Sequence, residues 1–264
     1  MKQLAHISDL HFGRTDPALV YGLADDLAEF GPDLLVVTGD ITQRARSTQF
    51  EEARAFLEAL PYPMLVVPGN HDIAPAWQPF ARLTKPYSLY QRYLSSELDC
   101  SFVDDDILVI GLNTVRPWLW KSGHISRQQV DWIGALVERY PRHFHALAAH
   151  HPIDDIGTLD RLGIELVLTG HLHRSYNGPA AYHLGRAHSV LLAQASTATS
   201  TRLRGHPNGY NRVLLEGSRV LVDHRSWSGH RFVSQAVGRY HRAGLGWETE
   251  ADLRVDTSAL PSGL

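Results

Sequence analysis

Short runs of apolar, often β-branched residues alternate with amphipathic stretches through the first two thirds of the chain, which predicts βαβ units around a largely parallel sheet. The runs at 3–8, 34–38, 64–67, 107–112, 145–149 and 166–169 have the length and composition of buried strands. Between them, 17–30 predicts a helix with Asp16 as N-cap, Pro17 at its first position and Gly31-Pro32 as its stop. Residues 48–60 place Phe50, Ala53, Phe56, Leu57 and Leu60 on one helical face and end at Pro61. Ser126 and Gln129, three apart, form a capping-box pattern for a helix over 126–140 whose apolar face is Val130, Ile133 and Val137.

Beyond Gly178 the texture shifts to short runs at 190–195, 210–215 and 219–225, the last two joined by the turn Glu216-Gly217-Ser218. These predict a second, more antiparallel sheet packed on the first. No low-complexity tract, repeat or linker divides the chain. One domain over 1–264 is therefore expected, with a loosely ordered tail over 244–264.

Composition narrows the chemistry. With 44% apolar residues among 264, the chain can bury one sizeable core. Its 25 basic and 28 acidic residues give a formal charge of -3, so no general positive field exists to hold a nucleic-acid backbone. Small substrates are expected, with no stable nucleic-acid complex. Cys100 is the only cysteine, which excludes an intrachain disulfide and a thiolate-rich metal site and suits a reducing cytoplasm. The N-terminal apolar run is too short for a signal-peptide core and no segment approaches membrane-spanning length, so a cytoplasmic protein without a membrane partner is expected. Sixteen histidines raise the chance of accidental motifs as well as real ones. Position must decide between them.

Five clusters fall just after predicted strands: Asp9-Leu10-His11, Gly39-Asp40, Gly69-Asn70-His71-Asp72, His150-His151-Pro152 and Gly170-His171-Leu172-His173. Loops at the carboxyl ends of strands in an α/β sheet converge on a ligand crevice, so all five can meet at one rim. They supply carboxylate, amide and imidazole ligands, a set that suits Mn, Fe, Co, Ni or Zn rather than Ca. A carboxylate such as Asp40 can bridge two cations, and Gly39 and Gly69 leave room for backbone to pass close by.

The ordered series D-x-H, G-D, G-N-H-D, H-H-P and G-H-x-H, spanning residues 9–173, resembles the calcineurin-like metallophosphoesterase superfamily. It looks most similar to the bacterial class III cyclic nucleotide and glycerophosphodiester phosphodiesterases. That resemblance implies an α/β fold, a four-layer α/β/β/α sandwich, and hydrolysis of small phosphodiester or nucleotide-like substrates by a metal-bound hydroxide attacking phosphorus in line. It implies two divalent metal ions, the first on Asp9, His11, Asp40 and His173 and the second on Asp40, Asn70, His150 and His171. In the H-H-P motif the ligand is the first histidine, leaving His151 beside the metals or facing phosphate. His71 resembles the family histidine that contacts the phosphoryl group and protonates the leaving oxygen, with Asp72 orienting it. Compact relatives are often dimers, which leaves a homodimer open.

Around this centre, Asn70, His71, His151, Asn113, Arg202 and Arg204 are the candidate substrate contacts. The arginines lie in the hydroxyl-rich segment 196–208, similar to a loop near the pocket of several compact family members and suited to pairing with phosphate. Asn113 follows a strand end, where a turn amide is the slightly favoured alternative. Arg116, Trp118, Trp120 and Lys121 could stack a base, but such a stretch is more often a packed loop. Asp104-Asp105-Asp106 reads as a solvated turn and Tyr87, Tyr90 and Tyr93 as a packed helix face. Related alternatives are a phosphomonoesterase or phosphonate-ester hydrolase, and a different class is a nonenzymatic metal-binding scaffold with the same fold. The lipid A precursor hydrolases of the superfamily carry Arg where this chain has His71, which disfavours that substrate.

Overall fold

The computed structural model describes residues 1–119, 122–180, 190–244 and 246–250. Trp120, Lys121, His183, His188 and the tail from 251 onward lie outside the described residues. The first half of the chain gives β1 (Lys2–Ile7), α1 (Pro17–Phe30), β2 (Leu34–Thr38), α2 (Ser47–Glu58), β3 (Met64–Val67), α3 (Pro79–Thr84), α4 (Ser88–Tyr93), β4 (Cys100–Val103), β5 (Ile107–Leu112) and α5 (Arg127–Arg139). The second half gives β6 (Phe144–Ala149), α6 (Ile156–Arg161), β7 (Leu166–Thr169), β8 (Tyr176–Pro179), β9 (Leu191–Gln194), β10 (Gly209–Glu216), β11 (Arg219–Trp227), β12 (Phe232–Ala243) and β13 (Gly246–Thr249). No helix among the described residues is long and apolar enough to cross a membrane.

The expected caps are in place. Asp16 accepts the Ala18 N–H at 2.9 Å to start α1, and Ser126 and Gln129 cap each other's backbone at the start of α5. Asp104 Oδ1 accepts the N–H groups of Asp106 and Ile107, closing the acidic turn between β4 and β5. Tyr90 is fully buried on α4, and Tyr93 stacks on Phe50 of α2.

Two mixed sheets result, one ordered β13-β12-β11-β10-β1-β2-β3 and the other β4-β5-β6-β7-β9-β8. Leu4, Val36, Val67, Val213 and Val222 of the first sheet meet Val109, Ala146, Leu168 and Ala193 of the second in a core between them. On the outer face of the first sheet α1, α2 and α4 bury Leu23, Leu27, Phe50 and Tyr90, while α5 and α6 bury Ile133 and Leu159 against the second. This is the four-layer α/β/β/α arrangement.

The division of strands differs from the expected one. The late antiparallel strands form no sheet of their own: β10 pairs antiparallel with β1, from Lys2↔Leu215 to His6↔Asn211, and extends the sheet begun by β1–β3. Strand β1 is buried on both faces and needs hydrogen-bonding neighbours on both edges, and β2 satisfies only one. Within the stretch expected to be loose, Gly246–Thr249 pairs with β12 and buries Trp247.

The first sheet is tied to α1 by one charge cluster. Asp26, 6% exposed, accepts from Tyr210 Oη at 2.5 Å and from Arg225 through both its oxygens, and Arg212 lies 2.8 Å away. Burial opposes this charge, but Arg225, Tyr210 and Arg212 outweigh it and hold the carboxyl below its ordinary value. A depressed folded-state pKa means that the stabilisation is complete above the unfolded value of about 3.9 and is lost as pH falls through the folded value. Asp26→Asn leaves two guanidiniums without their carboxylate and is expected to cost about 3 kcal/mol at neutral pH, measured by urea unfolding. The difference from wild type should shrink below about pH 4; a constant difference down to acid pH would show that the charge is not the source.

Candidate metal centre

Strands β1 and β2 run parallel and side by side, so the loops leaving their carboxyl ends emerge together. The pairing continues past the strands: Asp9 N–H donates to Gly39 O at 3.0 Å, His11 N–H to Asp40 O at 2.9 Å and Phe12 N–H to Ile41 O at 2.8 Å. Strands β3, β6 and β7 deliver Asn70, His150 and His171 to the same rim.

Two groups of side-chain donor atoms converge there. In the first, Asp9 Oδ1 lies 3.1 Å from His173 Nε2 and 3.7 Å from His11 Nε2, and the two imidazole nitrogens are 3.2 Å apart. In the second, His150 Nε2 lies 3.1 Å from Asn70 Oδ1 and 3.2 Å from His171 Nδ1. Asp40 stands between them, with Oδ2 3.8 Å from His11 Nε2 and Oδ1 3.4 Å from His150 Nε2. A cation about 2.1 Å from each nitrogen or oxygen ligand would hold adjacent ligand atoms about 3.0–3.4 Å apart. Most of these separations lie in or near that range. Asp9 Oδ1 is fully buried without a hydrogen-bond donor, a costly state for a carboxylate oxygen that a cation would relieve.

Hydrogen bonds at Nδ1 orient two of these imidazoles. His150 Nδ1–H donates to Thr38 O at 2.8 Å and His173 Nδ1–H to Arg202 O at 3.2 Å, which leaves each Nε2 lone pair facing the cluster. Burial lowers His11 and His171 to about 4, with Asp40 and Asp9 opposing in both, so these rings are neutral. Burial works against the charge on His150, yet Asp40 and Asp9 raise it above its ordinary value. Burial also opposes ionisation of Asp9 and Asp40, but the surrounding histidines hold both carboxyls below their usual range.

Backbone conformation at this rim is unusual. Among the described residues, six non-glycine positions have positive φ, and five are Asp9, His11, Asp40, His171 and His173, at 51–68°. Close packing explains the glycines: a Cβ on Gly69 would run into the backbone and carboxylate of Asp40, and one on Gly170 would meet Ser8 Oγ and Asp9 Oδ2. The bent loops are tied down by hydroxyls. Thr197 Oγ1–H donates to Asp9 O at 2.6 Å, Thr199 Oγ1–H to Leu10 O at 2.8 Å and Ser8 Oγ–H to Asp9 Oδ2 at 2.7 Å.

The candidate substrate residues separate. His71 sits edge-on to His11 with ring centroids 5.0 Å apart, its backbone N–H donating to Asp40 Oδ1 and its Nδ1–H to Gln43 O at 2.7 Å. The expected contact from Asp72 to this ring is absent. Asp72 instead accepts from the N–H groups of Ile41, Thr42 and Gly69 and from Thr42 Oγ1, so it fixes the 41–43 turn, and Gln43 then fixes His71. Burial, with Asp40 adding to it, pushes the Asp72 carboxyl up to about 6 against the pull of those N–H groups. His151 is 2% exposed, with Nδ1 2.9 Å from Thr114 Oγ1, and its ring lies 4.6 Å from that of His171; His150, His151 and His171 are a further group with donor atoms within 4.8 Å. Asn113 is a correction: it is 5% exposed and its Oδ1 accepts the Val115 N–H, so it builds a turn with Gln129 and Arg116 instead of reaching into the pocket. Arg116 is likewise spent on this packed loop. Arg202 lines the pocket beside Asn70 and His71, and Arg204 is near enough to His171 to disfavour its charge.

Several residues that matter carried no motif. Thr197 and Thr199 lie within the segment expected to contact substrate but serve to hold the Asp9 loop. His6 is fully buried in the inter-sheet layer; its signal was a lone ionisable residue inside the apolar run of β1. Gln43, Arg44 and Trp77 join Asn70 and His71 around a pocket of about 240 Å3.

A glycerophosphodiester phosphodiesterase of Enterobacter lignolyticus is 27% identical over 222 residues, covering 76% of this chain and 76% of the relative. A cAMP/cGMP dual specificity phosphodiesterase of Mycobacterium tuberculosis is 27% identical over 257 residues, covering 83% of this chain and 77% of the relative. The fold resembles that of a purple acid phosphatase from yellow lupin, with a TM-score of 0.68 at 12% identity over 89% of this chain and 53% of that one. The profile of the calcineurin-like phosphoesterases matches residues 2–175, which carry every donor atom of both groups, and the chain belongs to that family.

Proposed function

We propose that the protein hydrolyses small phosphodiesters with two divalent cations drawn from Mn, Fe, Co, Ni or Zn. The observation that carries this reading is Asp40, whose two oxygens face two separate groups of nitrogen and oxygen donors. Asp9, His11, His173 and Asp40 would hold one cation, and Asn70, His150, His171 and Asp40 the other. When bound, the cations lower the pKa of a water from roughly 15.7 to about 7 and spread the negative charge that develops at phosphorus.

The chain's own groups complete the reaction. Asn70 and His71 contact the phosphoryl oxygens from the pocket side. His71 keeps its Nδ1–H on Gln43 O, which leaves Nε2 as the ring nitrogen that passes a proton to the leaving oxygen. Buried Ser8, Thr38, Thr197 and Thr199 hold the ligand loops without touching substrate. The diester preference rests on the two phosphodiesterase relatives, each matched over more than three quarters of its length.

Asp40→Ala is expected to remove both cations and reduce turnover about 10³-fold or more, read by metal analysis and hydrolysis of an aryl phosphodiester. Near wild-type turnover with two metals bound would rule out the bridging role. His150→Ala should lose one cation and His151→Ala none; the reverse result would move the ligand to the second histidine of the pair. The function is tested with an aryl diester, an aryl monoester, cyclic AMP and glycerophosphocholine on protein reconstituted separately with each metal. A diester preference is expected, and a clear monoester preference would make the protein a phosphomonoesterase. Absence of any hydrolysis with two metals bound would favour a scaffold.

A further inference from the structure

The pocket that opens from Asn70 and His71 runs along Ile73 to the indole of Trp77, with Arg44 and Arg202 on its wall. Trp77 is 59% exposed, and the Arg44 guanidinium carbon stands 5.6 Å from its ring centroid. Among the described residues neither Arg44 nor Arg202 has a carboxylate partner, and no acidic side chain lines the pocket. A third guanidinium, that of Arg82, is anchored there by Pro117 O at 2.8 Å and Ala74 O at 2.7 Å.

A phosphodiester carries one negative charge, and the metal centre already faces it. Two further guanidiniums without acidic partners, set beside an exposed indole, exceed what a neutral substituent such as glycerol would use. A cationic substituent such as choline would meet like charge, which acts against the wrong ligand as strongly as attraction selects the right one. The flat indole adds a surface on which a planar group can stack, and a guanidinium over its face can pair at the same time with an anion at that group's edge.

We propose that this pocket selects phosphodiesters whose ester substituent is planar and carries a second anionic group, a carboxylate or a further phosphate, with Arg44 and Arg202 pairing to that anion and Trp77 stacking the planar group. The proposal rests on the phosphodiesterase reading above and specifies the substrate class for the same site. Arg44 is the specificity-determining residue it adds.

The test uses the metal-loaded protein and three p-nitrophenyl phosphodiesters whose second substituent is 4-carboxyphenyl, phenyl or choline, with both cleavage products quantified. Wild type is expected to rank them in that order by kcat/KM, the first exceeding the last by at least about ten-fold at low salt, with the gap narrowing as ionic strength rises. Arg44→Gln should reduce the carboxyphenyl-to-choline ratio about five-fold or more, and Arg44→Lys should retain most of it. Equal kcat/KM for all three, a preference for the choline diester, or an unchanged ratio in Arg44→Gln would overturn the proposal. If no diester is hydrolysed, the phosphodiesterase reading fails separately. Calorimetric binding of 4-carboxyphenyl phosphate and phosphocholine then decides the pocket: tighter binding of the carboxyphenyl ester, weakened in Arg44→Gln, supports it, and equal binding or a phosphocholine preference overturns it.

Discussion

The structure turns on five candidate metal-donor residues held in left-handed backbone, Asp9, His11, Asp40, His171 and His173. Each such non-glycine residue costs about 1–3 kcal/mol, so five together rival the whole net stability of about 5–15 kcal/mol of an ordinary domain. The conformation turns the chain sharply at Asp9 and His11 and again at His171 and His173, pairs two apart in sequence, and their side chains meet in one small volume. Convergence of donors at 3.1–3.8 Å is therefore obtained through backbone strain, and other parts of the molecule must offset that strain.

The offset comes from fold-level contacts. Parallel β1 and β2 continue to exchange backbone hydrogen bonds beyond their ends, so the Asp9 and Asp40 loops brace each other. Residues of the 196–201 segment, remote in sequence, supply Thr197 and Thr199 hydroxyls to the carbonyls of Asp9 and Leu10. Asp72 gathers N–H groups from Ile41, Thr42 and Gly69, closing the Asp40 loop onto the Asn70 loop. Removing any of these leaves buried polar groups unpaired at the rim, which is why the donor geometry and the fold are not separable properties.

This division explains what could be read from the sequence. The clustered donors were legible as a group because Asp, Asn and His alone supply oxygen and imidazole atoms after these strands, and the strands because their apolar runs are buried on both faces. The α1 and α5 caps were legible because capping is local chemistry. Sheet membership was not: β10 and β11 look the same whether they join β1 or pair among themselves, and the choice is made by the unsatisfied edge of β1. Strand β12 escaped because its outer residues are mostly half-exposed and polar, blurring the alternation. Asp72 reaches His71 only through Gln43, because the turn at Gly69 directs its carboxylate to backbone amides, a placement that the motif does not encode.

Below the rim, a row of polar side chains crosses four adjacent strands within the otherwise apolar inter-sheet layer. His224 on β11 lies 3.0 Å from Asn211 Oδ1 on β10, Asn211 Nδ2 lies 3.3 Å from His6 Nδ1 on β1, and His6 Nε2 lies 3.0 Å from Thr38 Oγ1 on β2. Burial holds His6 near 3 and His224 near 4, so both rings are neutral and the donor directions are set: His224 Nδ1–H to Asn211, Asn211 to His6, and His6 Nε2–H to Thr38. The residue at the end of this row is the one whose carbonyl takes the His150 Nδ1–H. A partly satisfied row would be worse than an apolar one, because each unpaired member costs about 1–3 kcal/mol. Fully paired, it joins the four central strands by side chains as well as backbone, and it holds Thr38 in the position that turns the His150 lone pair toward Asp40 and Asn70.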